Sequence, residues 1–258
     1  MGIYSRDYAR ETPSPSGFLG PATDVCKKLI IANVAVFILQ LFTRHPPQVG
    51  GSVVGDWLSL GVVELLHGQV WRLVTYAFCH NVNEGFPFHL LFNMLFLWWF
   101  GKTLEGMYGS REFLLFYLTA AIAAGFVFVG IDAATKNVWE LRPVEGASGA
   151  IMAIVIVYAM YFPRHRIYIW GVIPIEIRWV AAAYVVMDLL PVLSAFNGTA
   201  ERDNVAHTAH LGGAAMGFLY KTYNWRISSM FSGWRLPRLG NRSPHRRKEG
   251  CMALAFFD

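Results

Sequence analysis

Apolar residues in this chain do not alternate with polar ones; they gather into six long runs separated by polar connections. The runs cover roughly Leu29–Thr43, Phe88–Leu104, Phe113–Ile131, Ser148–Phe162, Trp179–Phe196 and Val205–Tyr220. Continuous apolar stretches of this length signal helices that are buried or membrane-spanning. Phe113–Ile131 holds no charged residue and is the cleanest of the six. Several others fall short of the ~20 residues that cross a bilayer. Their ends extend into the flanks, or the bilayer thins around them. The pattern predicts an all-α membrane protein with six transmembrane helices.

Composition sharpens this. Hydrophobic residues make up 55% of the chain and charged residues 15%, against about 25% charge in a soluble domain. Mean hydropathy is +0.38. One multi-span unit is expected, with a cytoplasmic tail over 1–28, a membrane domain over 29–223 and a basic cytoplasmic tail over 224–258. The first 28 residues include Arg6, Asp7, Arg10, Glu11, Asp24, Lys27 and Lys28. They show no cleavable signal pattern, so the first run itself is expected to direct insertion. The three cysteines, Cys26, Cys79 and Cys251, form no CxxC pair. A disulfide framework and a zinc site are both disfavoured.

The net charge of +5 points to membrane topology rather than to nucleic acid, because the basic residues lie beside the apolar runs. With the N-terminus inside, cytoplasmic pieces hold 17 of the 22 Lys and Arg residues, and outer connections hold five. Without the C-terminal tail the balance is still nine to five. The positive-inside rule therefore predicts N-in and C-in. The connection from about Arg44 to Pro87 carries Trp57 and Trp71. Tryptophan suits the membrane–water interface, and short helices in the outer leaflet are expected there. The C-terminal tail mixes Arg226, Arg235, Arg238, Arg242, Arg246, Arg247 and Lys248 with Trp225, Phe231 and Trp234. Such a tail can adhere to anionic lipid heads or stay solvated.

Runs four and six both pass from outside to inside in this orientation, and both open on reactive groups. One begins Gly146-Ala147-Ser148-Gly149; the other begins Val205-Ala206-His207-Thr208-Ala209-His210-Leu211-Gly212-Gly213. Ser148 and His210 are thus expected at similar depth, near the outer ends of their helices. Ionisable groups in lipid are functional candidates by default. A serine hydroxyl becomes an effective nucleophile when a base takes its proton, and a neutral imidazole can do so. Asp188 lies toward the middle of run five, and the spacing does not bring it to His210. With Pro191 it is read as satisfying and bending a helix. The expectation is a Ser148–His210 dyad with no acidic third member.

A dyad requires two helices in contact, and small residues gather where that contact would be. Gly146, Ala147, Gly149, Ala150 and Ala153 open run four; Gly213-Ala214-Ala215-Met216-Gly217 forms a GxxxG pattern in run six. Small residues let membrane helices approach closely. Peptide hydrolysis also needs donors for an oxyanion. His89 and Asn93 are four residues apart and share a helix face. The Ser148 amide, at a helix start, has no intrahelical acceptor. Each feature alone also fits ordinary packing or satisfaction of buried backbone groups.

Taken together, the chain resembles the rhomboid intramembrane serine proteases. The resemblance rests on Trp71-Arg72, His89-x-x-x-Asn93, Gly146-Ala147-Ser148-Gly149, and Ala209-His210-Leu211-Gly212-Gly213 with Gly217. These stand in the family's order and span about residues 25–222. The resemblance implies a rhomboid-like bundle, with Ser148 as nucleophile, His210 as general base, and His89, Asn93 and the Ser148 amide as oxyanion donors. It implies membrane-protein substrates cut in or near a transmembrane helix, a lipid bilayer as surroundings, and no metal or organic cofactor. It favours His210 over His207 as the base, through the Leu-Gly-Gly that follows. It also suggests that run five gates substrate entry. Glu105 and Arg72 are expected to be structural.

Three departures stand out. Met152 occupies a position where an aromatic is common, and Ala153 one where glycine is common. The stretch 81–88 between His80 and His89 is longer than usual. The competing reading is a non-enzymatic rhomboid-like binder of membrane clients, which loss of the serine or histidine would mark. A transporter would show inverted repeats or paired broken helices, and neither is visible. A prokaryotic plasma membrane is the expected location.

Overall fold

The computed structural model describes residues 24–83, 87–135, 143–169, 171–196 and 206–230. Most of both tails, and Val205 at the start of run six, lie outside them. Each of the six apolar runs falls on a helix: α1 (Asp24–Phe42), the Phe88–Tyr108 helix, α7 (Ser110–Thr135), α8 (Ser148–Tyr161), α9 (Ile177–Phe196) and α10 (His207–Thr222). The second is not uniform. It consists of α5 (Phe88–Phe96), a π-helical turn over Leu97–Gly101 and α6 (Lys102–Tyr108). At Gly101 a Cβ would lie 2.9 Å from Leu97 Cδ1 and 3.1 Å from Phe113 Cζ. The turn therefore brings bare backbone against α7.

Three of these helices are long and apolar enough to cross a membrane: Asp24–Phe42, Ser110–Ala134 and Ile177–Ser194. Their outward faces are apolar, as Ile31, Ile38 and Phe42 on α1 and Met187, Leu190 and Leu193 on α9 show. Exposed apolar surface on this scale fits lipid rather than water. The 14-residue α8 is different. At about 1.5 Å per residue it is too short to cross the ~30 Å hydrocarbon core. Its residues from Gly149 to Val155 are all buried, which explains why it is apolar on every side. It packs on α7, α9 and α10 as the centre of the molecule.

Helix ends are held by buried carboxylates. Glu105 accepts from the backbone N–H of Val25 (3.0 Å) and Cys26 (2.8 Å). These free N–H groups are what a helix start leaves over, and capping them lets α1 begin before the apolar run. Glu105 is thus structural, as expected. Glu112 likewise accepts from Ile227 N and Ser228 N, both at 2.7 Å. This anchors the short helix α11 (Ile227–Met230) under α7.

The long first connection folds into α2 (Val53–Leu58), α3 (Val62–Leu66) and α4 (Arg72–Thr75), followed by a 3-10 turn over Tyr76–Phe78. Arg72 is buried and donates to Ser59 O, Asp56 O and Gln69 Oε1. It is a structural clamp, as the sequence suggested. One feature departs from an all-α fold. Strands β1 (Arg166–Ile169) and β2 (Ile173–Glu176) pair antiparallel between α8 and α9. Four-residue strands are too short to stand out from the apolar signal around them.

Candidate functional site

Ser148 is the first residue of α8, and the approach to it is tightly held. Leu60 and Val144 exchange backbone hydrogen bonds of 3.0 and 2.8 Å. Gly146 N–H donates to Tyr76 O at 3.0 Å. Gly146 has φ +138°, a conformation open mainly to glycine. A Cβ on it would lie 2.8 Å from His89 Cε1 and 3.5 Å from Ser148 Oγ. Glycine is thus required twice here, for the turn and for His89 to lie beside the serine.

His210 projects from the first turn of α10. Its Nε2 is 2.7 Å from Ser148 Oγ, so the two expected reactive residues are brought together. The approach of their helices depends on absent side chains. A Cβ at Gly213 would lie 1.8 Å from Gly149 O, one at Gly217 would lie 2.5 Å from Ala153 O, and one at Gly212 would lie 2.7 Å from Val127 Cβ. The GxxxG stripe and the start of α8 therefore meet backbone to backbone.

Asp188 differs from its expected place. Its Oδ1 is 3.0 Å from His210 Nδ1 and 2.7 Å from His207 Nδ1. The residue read as merely satisfying a helix thus contacts His210 on the ring nitrogen opposite the one that faces Ser148. The sequence hid this because helices α9 and α10 are joined by a connection whose course no local pattern specifies. Asp188, His207 and His210 also offer ligand-type atoms within 4.8 Å of one another.

His89 and Asn93 face the same space as Ser148 and His210. Together with Met152, Tyr184 and apolar neighbours they line a cavity of about 310 Å³. Its lining combines a few polar groups with a mainly apolar wall, the usual character of a small site. Asn93 Nδ2 is 3.3 Å from His80 Nε2. His80 is fully buried, and its backbone N–H donates to Gln40 Oε1 at 2.9 Å. Burial, helped by nearby His89, lowers the His80 pKa to about 3. It is therefore neutral and able to accept from the Asn93 amide. Gln40 also donates to Glu145 Oε2 at 3.2 Å. Burial raises that carboxyl to about 7 despite the Gln40 bond. His80, Gln40 and Glu145 were not among the expected site residues. The signal for His80 was its place shortly before the His89 and Asn93 pair. Met152 is buried on the cavity wall.

A Rhomboid domain model matches residues 67–227. The chain belongs to the rhomboid family. Among its relatives are the RHOMBOID-like protein 12, mitochondrial, of Arabidopsis thaliana and the Rhomboid protease GlpG of Yersinia pseudotuberculosis. The first is 28% identical over 205 residues, 75% of this chain and 56% of the plant protein. The second is 25% identical over 214 residues, 81% of this chain and 65% of the bacterial protein. The chain thus spans a little over half to two-thirds of their lengths. Family membership and the apolar helices make this rhomboid an integral membrane protein. One relative is named as mitochondrial and another is bacterial, so the similarity gives no preference for a prokaryotic membrane.

Proposed function

We propose that this rhomboid is an intramembrane serine endopeptidase that cuts transmembrane protein substrates in or near their spanning segments. The observation that carries the reading is the 2.7 Å contact between Ser148 Oγ and His210 Nε2 in the lining of a mainly apolar cavity. In this reading the six helices traverse the bilayer with both termini inside, and the bilayer thins around the short α8. It places a cytoplasmic tail over 1–28, the membrane domain over 29–223 and a basic cytoplasmic tail over 224–258. A prokaryotic plasma membrane rests on the sequence expectation alone.

The chemistry follows from the groups present. His210 Nε2 takes the proton of Ser148 as Oγ attacks the substrate carbonyl carbon. The carbonyl oxygen becomes an oxyanion beside the Ser148 amide, the Asn93 amide and the His89 ring. The protonated imidazole then gives its proton to the leaving amine, and the acyl group stays on Ser148. Water attacks the ester with His210 again as base, releasing the acid and restoring the hydroxyl. A helical substrate hides its carbonyls in i to i−4 bonds, so the cut segment must unwind. Glycine or proline near the cut lowers that cost.

The test is cleavage of a single-span substrate by purified full chain in detergent, comparing wild type with Ser148→Ala and His210→Ala. Cleavage lost in both supports the reading. Equal cleavage by Ser148→Ala overturns it. Failure of the wild type to cut several substrates in a bilayer favours the client-binding alternative.

A further inference from the structure

Asp188 is a costly residue to keep where it stands. Its carboxyl lies on a helix whose surface is mainly apolar, and the residue is 4% exposed. An ionised group in such surroundings is retained when it is paired. The other buried residues of α9, Ile177, Ala181 and Val192, share its helical face, so the side chain is aimed into the bundle. There Oδ1 meets the Nδ1 atoms of His210 and His207, while Oδ2 has no partner among the described residues.

We propose that Asp188 is a positioning residue for the reaction, converting the Ser148–His210 pair into a three-helix relay, with His207 as the anchor that holds the carboxylate. The proposal rests on the protease reading above. Its logic is tautomeric. A carboxylate oxygen opposite Nδ1 requires the proton on Nδ1. Nε2 then carries the lone pair, 2.7 Å from Ser148 Oγ. In the other tautomer Nε2 would hold a hydrogen and could not accept the serine proton. Once Nε2 has taken that proton, the positive ring faces a negative carboxylate in surroundings of low dielectric, where the attraction is strong. The proton that moves is the one passed from Ser148 to the leaving amine. His207 makes the shorter contact, 2.7 Å against 3.0 Å. It fixes Oδ1 without reaching the serine.

The experiment measures kcat and KM for a single-span substrate, and thermal unfolding, on full-length protein in detergent. Asp188→Asn keeps a polar group at this position and removes the charge. Asp188→Leu removes both. The expected losses in kcat are on the order of 10²-fold or more for each, the first because an amide N–H facing Nδ1 selects the wrong tautomer and the second because nothing holds the ring. KM should change less than about twofold, and the unfolding temperature should not track the losses. His207→Ala should cost less than Asp188→Leu and add nothing in the Asp188→Leu background, since a residue acting through another is not additive with it. If Asp188→Leu does not fold, Asp188→Asn and the His207→Ala cycle built on it carry the same test. Wild-type kcat in the folded Asp188 variants, with cleavage still dependent on Ser148, overturns the proposal. So does a loss confined to KM or to unfolding temperature. Cleavage that survives Ser148→Ala sinks the protease reading instead, so the two failures are distinguishable.

Discussion

Replacing Gly213 by alanine tests whether a backbone contact sets the distance between Ser148 and His210. The new Cβ would stand 1.8 Å from Gly149 O and 2.7 Å from Gly149 C. A carbon and a carbonyl oxygen in contact need about 3.3 Å, so α8 and α10 must part by roughly 1.5 Å. The obstructing atoms are backbone at the start of a buried helix and cannot rotate away. Gly149 follows Ser148 directly, and Gly213 lies one turn after His210. The separation therefore passes to the Oγ–Nε2 contact, which widens from 2.7 Å to ~4 Å, beyond hydrogen-bond reach. Misplacement by about 1 Å can cost on the order of 10²-fold in rate, and kcat is expected to fall by about that much. Overpacking also costs about 1–3 kcal/mol of stability, so activity is referred to folded protein, from thermal unfolding of the same preparation. Gly130→Ala is the control, because its Cβ would meet nothing within 4 Å. The assay is cleavage of a single-span substrate. Gly213→Ala with kcat within threefold of Gly130→Ala would refute the reasoning.

Two other predictions follow from the site. Asn93→Ala should lower kcat by about 10²-fold with little change in KM if its amide meets the oxyanion; a change confined to KM would place Asn93 in substrate binding instead. Glu145 has a pKa near 7 against an ordinary 4.5, so the fold favours its protonated form. Its contribution is fully present below about pH 4.5 and is lost as pH rises through 7. The effect is at most about 3 kcal/mol. Thermal unfolding should weaken across that window in wild type and less so in Glu145→Gln, and equal slopes in the two proteins would count against this account.

What the sequence revealed and what it hid divide along physical lines. Ser148, His210, His89 and Asn93 were legible because each stands in a local pattern with a chemical reason: a small-residue helix start, a small-residue stripe, a shared helix face. The helices were legible because apolar runs are long-range averages that tolerate local exceptions. Asp188 was read for its own helix alone, since contacts between helices depend on relative rotation that no single run encodes. His80 escaped for a similar reason, as its contact with Asn93 joins residues thirteen positions apart. The π-helical turn at Leu97–Gly101 leaves no mark in an unbroken apolar run. The hairpin β1–β2 was missed because a strand of four residues scarcely differs from the end of a helix pattern.

The clamp at Arg72 bears on how this molecule tolerates change. Two of its three acceptors, Ser59 O and Asp56 O, are main-chain carbonyls. A substitution at either position leaves the carbonyl in place. A guanidinium keeps its charge across the whole range in which proteins function. The connection between α1 and α5 is thus fastened mainly to acceptors that mutation does not delete. Residues around it, such as the exposed Trp57 and Leu66, are free to drift toward whatever membrane surface or substrate approach a lineage requires. The arginine itself has no such freedom.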